Sequence, residues 1–271
     1  IDSLDDRGLR FLASMKRYAI LTRCLPLKQR GELKSTGIGT ENYVWAFHSE
    51  SQDELIGLIP CVRRDKPEWS ELREYGVGWW VKKLELLKKL IEKVAQSAYH
   101  AKRDPLDAAL FYLAMKKKTL VCALLRRTNC DKRLSKLFEQ DFNDPVNKKK
   151  ALKNAYALLG KHRFEHAAAF FLLAGSIWDT VEVCINKLND IQLAMTLIRL
   201  HDNDAILPAN LKRLLETEIL GNKNADPFSR SMAHWKLGDY NSAARTLLDG
   251  ETNASILIFY KFLKDQPLVA R

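Results

Sequence analysis

The chain has 271 residues, 46% of them apolar and 28% charged, which is enough apolar material for one large or two ordinary cores. No run approaches about 18 uncharged apolar residues, so no segment reads as a membrane-spanning helix. The formal net charge of +11 is a local property, because residues 76–153 hold 19 lysines and arginines against 8 acids while the remainder balances at 25 against 25.

Nearly every segment reads as helix. Leu4 to Cys24 places apolar residues at Leu9, Leu12, Ala13, Ala19 and Ile20, close to helical spacing, and Pro26 stops it. A glycine-bearing loop from Ser35 to Gly39 leads to Thr40, an expected N-cap for Glu41 to His48. Ser51 is expected to cap a helix running to Ile59, with Glu54 at the capping-box position, and Pro60 to Pro67 reads as a polar connector. Residues 77–102 read as the longest helix, with Leu84, Leu87, Leu90, Ile91, Val94 and Ala98 on one face and lysines on much of the rest. Asp104 caps the next helix, with Pro105 at its first position. Shorter helices follow at about 118–127, 132–141, 145–159, 163–174, 177–187, 190–200, 209–220, 226–237, 240–248 and 253–264. Period-two alternation with Asn-Gly or Asp-Gly hairpin turns is missing.

One device recurs. Helices with adjacent alanines at Ala108, Ala167 and Ala243 let a neighbouring helix come close, while their aromatic and aliphatic residues fill the space beyond. After the second of them, Gly175 supplies the left-handed stop and Ser176 an expected cap for the next helix. The alanine pairs are 59 and 76 residues apart, which rules out a regular array of about 34 residues per repeat. The expected fold is therefore all-α, an irregular α-solenoid of stacked helical hairpins. The Pro- and Gly-bearing stretch before Trp69 suggests an N-terminal helical part, 1–66, and a solenoid, 67–271, or else one continuous domain 1–271. The chain opens on Ile1 rather than Met and reads as a piece of a longer protein, so the lack of a leader at its start carries no weight.

The motifs point away from catalysis. His162-Arg163-Phe164-Glu165-His166 matches the H-x-x-E-H zinc pattern. Gly160 places His162 in a turn, and no third ligand declares itself, so the match is read as chance and no metal is expected. Gly76-Val77-Gly78 leads into Trp79-Trp80, too bulky to cradle a pyrophosphate, and neither a Walker loop nor a G-x-S-x-G elbow is present. Cys24, Cys61, Cys122, Cys130 and Cys184 are scattered and odd in number, which reads as reduced, mostly buried thiols in a cytosolic protein. No cofactor and no small-molecule substrate are expected, and the chain is not read as an enzyme.

Interaction residues are expected in two places. Trp79 and Trp80 point about 100° apart on a helix, so one is expected in the core and the other on a neighbouring loop, with a partner-binding anchor as the alternative. Lys116-Lys117-Lys118 and Lys148-Lys149-Lys150 are compact basic runs where helices meet. They are read either as solvated turns with lysines favouring helix carboxyl ends or as a docking face for an acidic surface. Nucleic acid is the weaker reading of these runs, because the aromatics fall in apolar patterns and do not interleave with lysines.

Several blocks resemble the DmX-like, or rabconnectin alpha, family, which includes the large subunit of the yeast RAVE complex. They are Leu4 to Leu12, Val44 to Glu50, Trp69 to Arg73 with Tyr75 to Val81, Asp104 to Lys118, Ala151 to Ala155, Leu158 to Ser176 and Asp190 to Met195. The resemblance is dense over about residues 4–200. It implies a very large protein, with amino-terminal β-propellers followed by an α-solenoid, that acts as a scaffold for assembly of the vacuolar proton pump (V-ATPase) and so for organelle acidification. The partners it implies are V-ATPase subunits and the companion rabconnectin beta and Skp-type subunits. The implied location is cytoplasmic, peripheral to endosomal, vacuolar or synaptic-vesicle membranes, with membrane association indirect. It offers no catalytic residues. A coat-like trafficking scaffold, and a basic module binding anionic membrane or RNA, are the rival readings.

Overall fold

The computed structural model describes residues 3–128, 132–203 and 207–269. The chain is 75% helical, and the described residues contain no strand. In chain order the first helices are α1 (Asp6–Cys24), α2 (Leu27–Thr36), α3 (Thr40–His48), α4 (Gln52–Leu58), α5 (Pro60–Arg63), α6 (Trp69–Glu74) and α7 (Val77–Trp80). Then come α8 (Leu84–Lys102), α9 (Pro105–Ala114), α10 (Lys118–Thr128), α11 (Lys132–Glu139), α12 (Pro145–Gly160), α13 (Phe164–Leu173), α14 (Ile177–Asn186) and α15 (Ile191–Asp202). The last are α16 (Ala209–Leu214), which continues as a π-helical stretch over Leu215–Leu220, α17 (Pro227–Lys236), α18 (Tyr240–Arg245) and α19 (Ala254–Lys264).

Local chemistry sets seven of the helix starts. Asp104, Asp144 and Asp226 each precede a proline, and each accepts a hydrogen bond from a backbone N–H of the helix it opens. Proline at the first helical position gives up an N–H that has no intrahelical partner in any case. Asp5, Asp190, Asp239 and Asn253 cap in the same way without proline. Two expected serine caps are not made. Ser51 accepts from the Asp5 N–H and donates to the Ser3 carbonyl, and the Ser176 hydroxyl donates to the Asp179 carboxylate. The stretch read as a polar connector holds the short helix α5, with Cys61 buried.

By packing, the chain forms two compact units. The first comprises the described residues of 3–59, 74–82 and 207–269. In it α1 packs on α2, α3 and α4, and α3 packs on α7 and α17. The expected helix over 77–102 is broken, since Val81 is extended between α7 and α8. Buried Gln52 explains the break. Its Nε2 donates to the carbonyls of Trp80 and Ala46 at 2.7 and 3.0 Å, and its Oε1 accepts from the Lys82 N–H at 2.8 Å. The backbone groups that a continuous helix would bond internally are satisfied from outside.

The break also corrects the expectation for the tryptophans. Trp79 and Trp80 are both buried, at 2% and 0% exposure. A single turn enclosed by other elements can bury opposite sides, which one face of a long helix cannot. Trp80 stacks edge-on against Phe11 at 5.5 Å, and its indole N–H donates to the Tyr75 carbonyl at 2.8 Å.

His48 closes this unit's aromatic cluster, with ring centroids 4.6 Å from Trp235, 5.5 Å from Phe259 and 5.4 Å from Phe262. Burial, with the charges of Lys82 and Arg7 adding to it, pushes its pKa down to about 3. The native state therefore keeps His48 neutral while the unfolded chain takes up a proton below its ordinary value near 6.5. Stability is fully present above about pH 6.5 and falls as pH drops toward 3, by up to about 1.4 kcal/mol per pH unit. Denaturant midpoints measured across that window should show this slope. His48→Phe should flatten it, and an identical slope in the variant would mean that other groups carry it.

The second unit comprises the described residues of 60–73 and 83–204. Here α8–α9, α12–α13 and α14–α15 form successive hairpins, the solenoid-like arrangement expected. α9 touches α8, α10, α13 and α15, and it is buried nearly all round, as its almost uninterrupted apolar sequence requires. Ala108 and Ala109 on α9 and Ala167, Ala168 and Ala169 on α13 have no exposed surface. The Thr180 hydroxyl reaches across to the Ala168 carbonyl at 3.2 Å, a contact that α14 makes because α13 carries no bulk there. The first unit repeats the device, with Ser231 donating to the Ala243 carbonyl at 2.7 Å. Ala168→Leu or Ala169→Leu should destabilise the protein by about 1–3 kcal/mol through overpacking. Unchanged denaturant midpoints for leucine at all three of 167, 168 and 169 would refute the close approach.

Candidate functional site

The second unit brings together sequence blocks that lie far apart in the chain. The Trp69 indole N–H donates to Asp190 Oδ2 at 2.8 Å, across 121 residues. Arg73 stands 3.7 Å from the same carboxylate and donates to the Asn189 carbonyl at 3.1 Å, while Gln192 Nε2 donates to the Arg73 carbonyl at 3.2 Å. Asp190 is buried and also caps α15 through the Leu193 N–H. One carboxylate thus serves three partners, which holds α6 against the start of α15.

The H-x-x-E-H residues are separated by the fold. His162 lies in the turn after α12 with φ +56°, as expected, whereas His166 is buried on α13. His166 Nε2 lies 2.9 Å from Asp107 Oδ1 on α9. Asp104, Asp107 and His166 bring ligand-type atoms within 4.8 Å of one another, a trio that the H-x-x-E-H pattern does not specify. Its carboxylates are already engaged. Asp104 caps α9 and lies 3.9 Å from Arg163, and Asp107 lies 3.8 Å from Lys102. Two cations therefore stand where a metal would have to bring its charge, and the trio reads as a neutralised capping cluster joining α9 to α13.

The buried cysteines are poor nucleophiles. Burial pushes Cys61 up to about 12, with Glu71 adding to the rise, and it raises Cys122 and Cys184 as well. Cys24 is exposed, and Cys130 lies outside the described residues.

The two lysine runs, by contrast, meet. Lys118 donates to the Gln140 carbonyl at 2.8 Å and lies over the Phe142 ring, while Lys150 reaches the Gln140 side-chain oxygen at 3.4 Å. One residue of the α11–α12 connection therefore touches both runs. Lys116 sits in the turn after α9 with φ +58°, exposed, and Lys117 pairs with Glu92 at 2.8 Å. Lys148, Lys149 and Lys150 are exposed in the opening turns of α12. This corrects the expectation that lysines here favour helix carboxyl ends, because the amino end of a helix disfavours positive charge. Exposed Leu120 and Val146 lie in the same stretches of chain as the two runs. Trp79 and Trp80 belong to the other unit, inside its core.

Hairpins packed through small residues, with lysines from two separate stretches meeting at Gln140, define an all-helical, solenoid-like module. The chain belongs to the RAVE protein 1 C-terminal family, whose model matches residues 1–257. It is 43% identical over 294 residues to DmX-like protein 1 of Homo sapiens, with all of this chain and 10% of that protein aligned. It is 33% identical over 265 residues to "Regulator of V-ATPase in vacuolar membrane protein 1" of Saccharomyces cerevisiae, covering 94% of this chain and 18% of that one. The protein of the same name in Schizosaccharomyces pombe is 31% identical over 224 residues, covering 81% and 16%. The chain thus spans less than a fifth of the length of these relatives.

Proposed function

We propose that this chain is a non-enzymatic scaffold element that promotes assembly and regulation of the vacuolar-type proton ATPase, and that its basic face docks on an acidic surface of a pump subunit. The observation that carries the docking face is the meeting of two lysine runs, 116–118 and 148–150, at Gln140. Positive charge in the opening turns of α12 is disfavoured by the helix dipole, and the value of exposed lysines there is in steering an acidic partner. Membership of a family whose relatives bear the name of V-ATPase regulators supports the choice of partner. Companion beta and Skp-type subunits, and a cytoplasmic location peripheral to acidifying organelles, belong to the same proposal. Among the described residues no helix is long and apolar enough to cross a membrane.

The test is binding of the chain to individually purified pump subunits. Lys116, Lys148 and Lys149 are the residues to change to Glu, since Lys117 and Lys118 are tied to Glu92 and Gln140. The triple variant should associate about tenfold more slowly at low salt, and the difference should shrink as the Debye length falls below about 8 Å. Its stability should stay within about 0.5 kcal/mol of the parent. Equal association at low salt, or binding to none of the subunits, would overturn the proposal.

A further inference from the structure

The second unit also carries a groove of about 440 Å³, bordered by α6, α8, α9, α13 and α15. Its origin lies in α8, which presents Ser97, Ala98 and Ala101 on the side where Trp69 stands, so no long side chain fills the space. Val94, Leu110 and Leu193 form an apolar floor. The volume suits a few side chains of a bound segment.

The charge of the rim is the opposite of its surroundings. The sequence of this unit holds 26 lysines and arginines against 17 acids, yet among the described residues the groove is bordered by Glu68, Asp107, Glu165 and Asp190 and by two cations, Arg73 and Lys102. Each is paired with one of the rim acids, Arg73 with buried Asp190 at 3.7 Å and the exposed Lys102 with Asp107 at 3.8 Å, which leaves Glu68 and Glu165 as the uncompensated charges. Glu68 and Glu165 are exposed and have no ion pair or side-chain hydrogen bond among the described residues. Half-buried Trp69 adds an indole wall between apolar floor and acidic rim, and indole rings attract cationic side chains.

We propose that this groove binds a peptide segment of a partner protein that carries an arginine or lysine next to an aliphatic residue. The cation lies against Trp69 between Glu68 and Glu165, and the aliphatic side chain rests on the floor beside Ala98. Charge-assisted hydrogen bonds to two unpaired carboxylates supply the orientation, and the apolar floor supplies the burial. The site is separate from the lysine face and selects the opposite charge, so it stands whether or not that face docks on a pump subunit.

The probe is a phage-displayed library of random 12-residue peptides, panned on the whole chain and counter-selected on the Glu68→Lys/Glu165→Lys variant, so that peptides held by the lysine face are discarded. The surviving sequences should be enriched in arginine or lysine adjacent to leucine, isoleucine or valine. A synthetic peptide of the leading sequence should bind at least tenfold more weakly to Ala98→Phe, which plugs the groove without altering charge, and equally well to Glu32→Lys, an exposed control that does not line the groove. Circular dichroism matching the parent establishes that each variant is folded, and Ala98→Phe keeps the test valid if the double variant is not. No surviving peptide, surviving acidic peptides, or binding unaffected by Ala98→Phe would overturn the proposal.

Discussion

Replacing Trp80 with alanine should lower the stability of the first unit by about 3–5 kcal/mol. The side chain has no exposed surface, packs edge-on against Phe11 at 5.5 Å, and bonds the Tyr75 carbonyl at 2.8 Å. Truncation loses the burial, opens a cavity and leaves that carbonyl without its donor. The loss is a large share of the roughly 5–15 kcal/mol by which domains are stable, so the unit should approach unfolding at ordinary temperature. Trp80→Phe should cost less, because it keeps the ring packing and gives up the hydrogen bond. Urea titrations followed by circular dichroism measure both. A change under about 1 kcal/mol for the alanine variant would mean that Trp80 is not core.

Gly76→Ala is the second substitution with a large expected effect. Gly76 has φ +72°, and an added Cβ would stand 2.5 Å from Cγ of the buried Tyr43 ring. The left-handed conformation costs a non-glycine residue about 1–2 kcal/mol, and forcing a methyl group into the ring adds about 1–3 kcal/mol. A total near 2–5 kcal/mol is expected from these two terms. Combining Gly76→Ala with Tyr43→Ala should give less than the sum of the single losses, because the clash is gone in the double variant. Strict additivity would show that the ring contact is not the cause.

What was legible in the sequence was what neighbouring residues decide. The Asp-Pro starts of α9 and α12 and the nearly uninterrupted apolar character of α9 and α13 are written in consecutive residues, and the all-helical class follows from them. The break at Val81 was not legible, because it depends on Gln52 taking over backbone groups some 30 residues away in sequence. With that break unseen, the two tryptophans fell on a long helix that does not exist. Ser51 and Ser176 have the right identity for caps, but their hydroxyls are drawn to Ser3 and Asp179. The lysine runs were plain as composition, while their meeting at Gln140 and the acidic groove on the same unit depend on packing between distant segments.

The first unit is assembled from separated stretches, and its aromatic cluster around His48 draws Trp235, Phe259 and Phe262 from the far end of the chain. On the ribosome α1 and α3 emerge early and then wait for these rings. At about 5–20 residues per second, synthesis of residues 60–206 takes roughly 7–30 s. For that interval the nascent chain presents Trp45, Phe47 and His48 without their partners, long enough for chaperones to bind them. The second unit is drawn from residues 60–204, so all of it is synthesised before the rings that complete the first unit, although the first unit begins earlier.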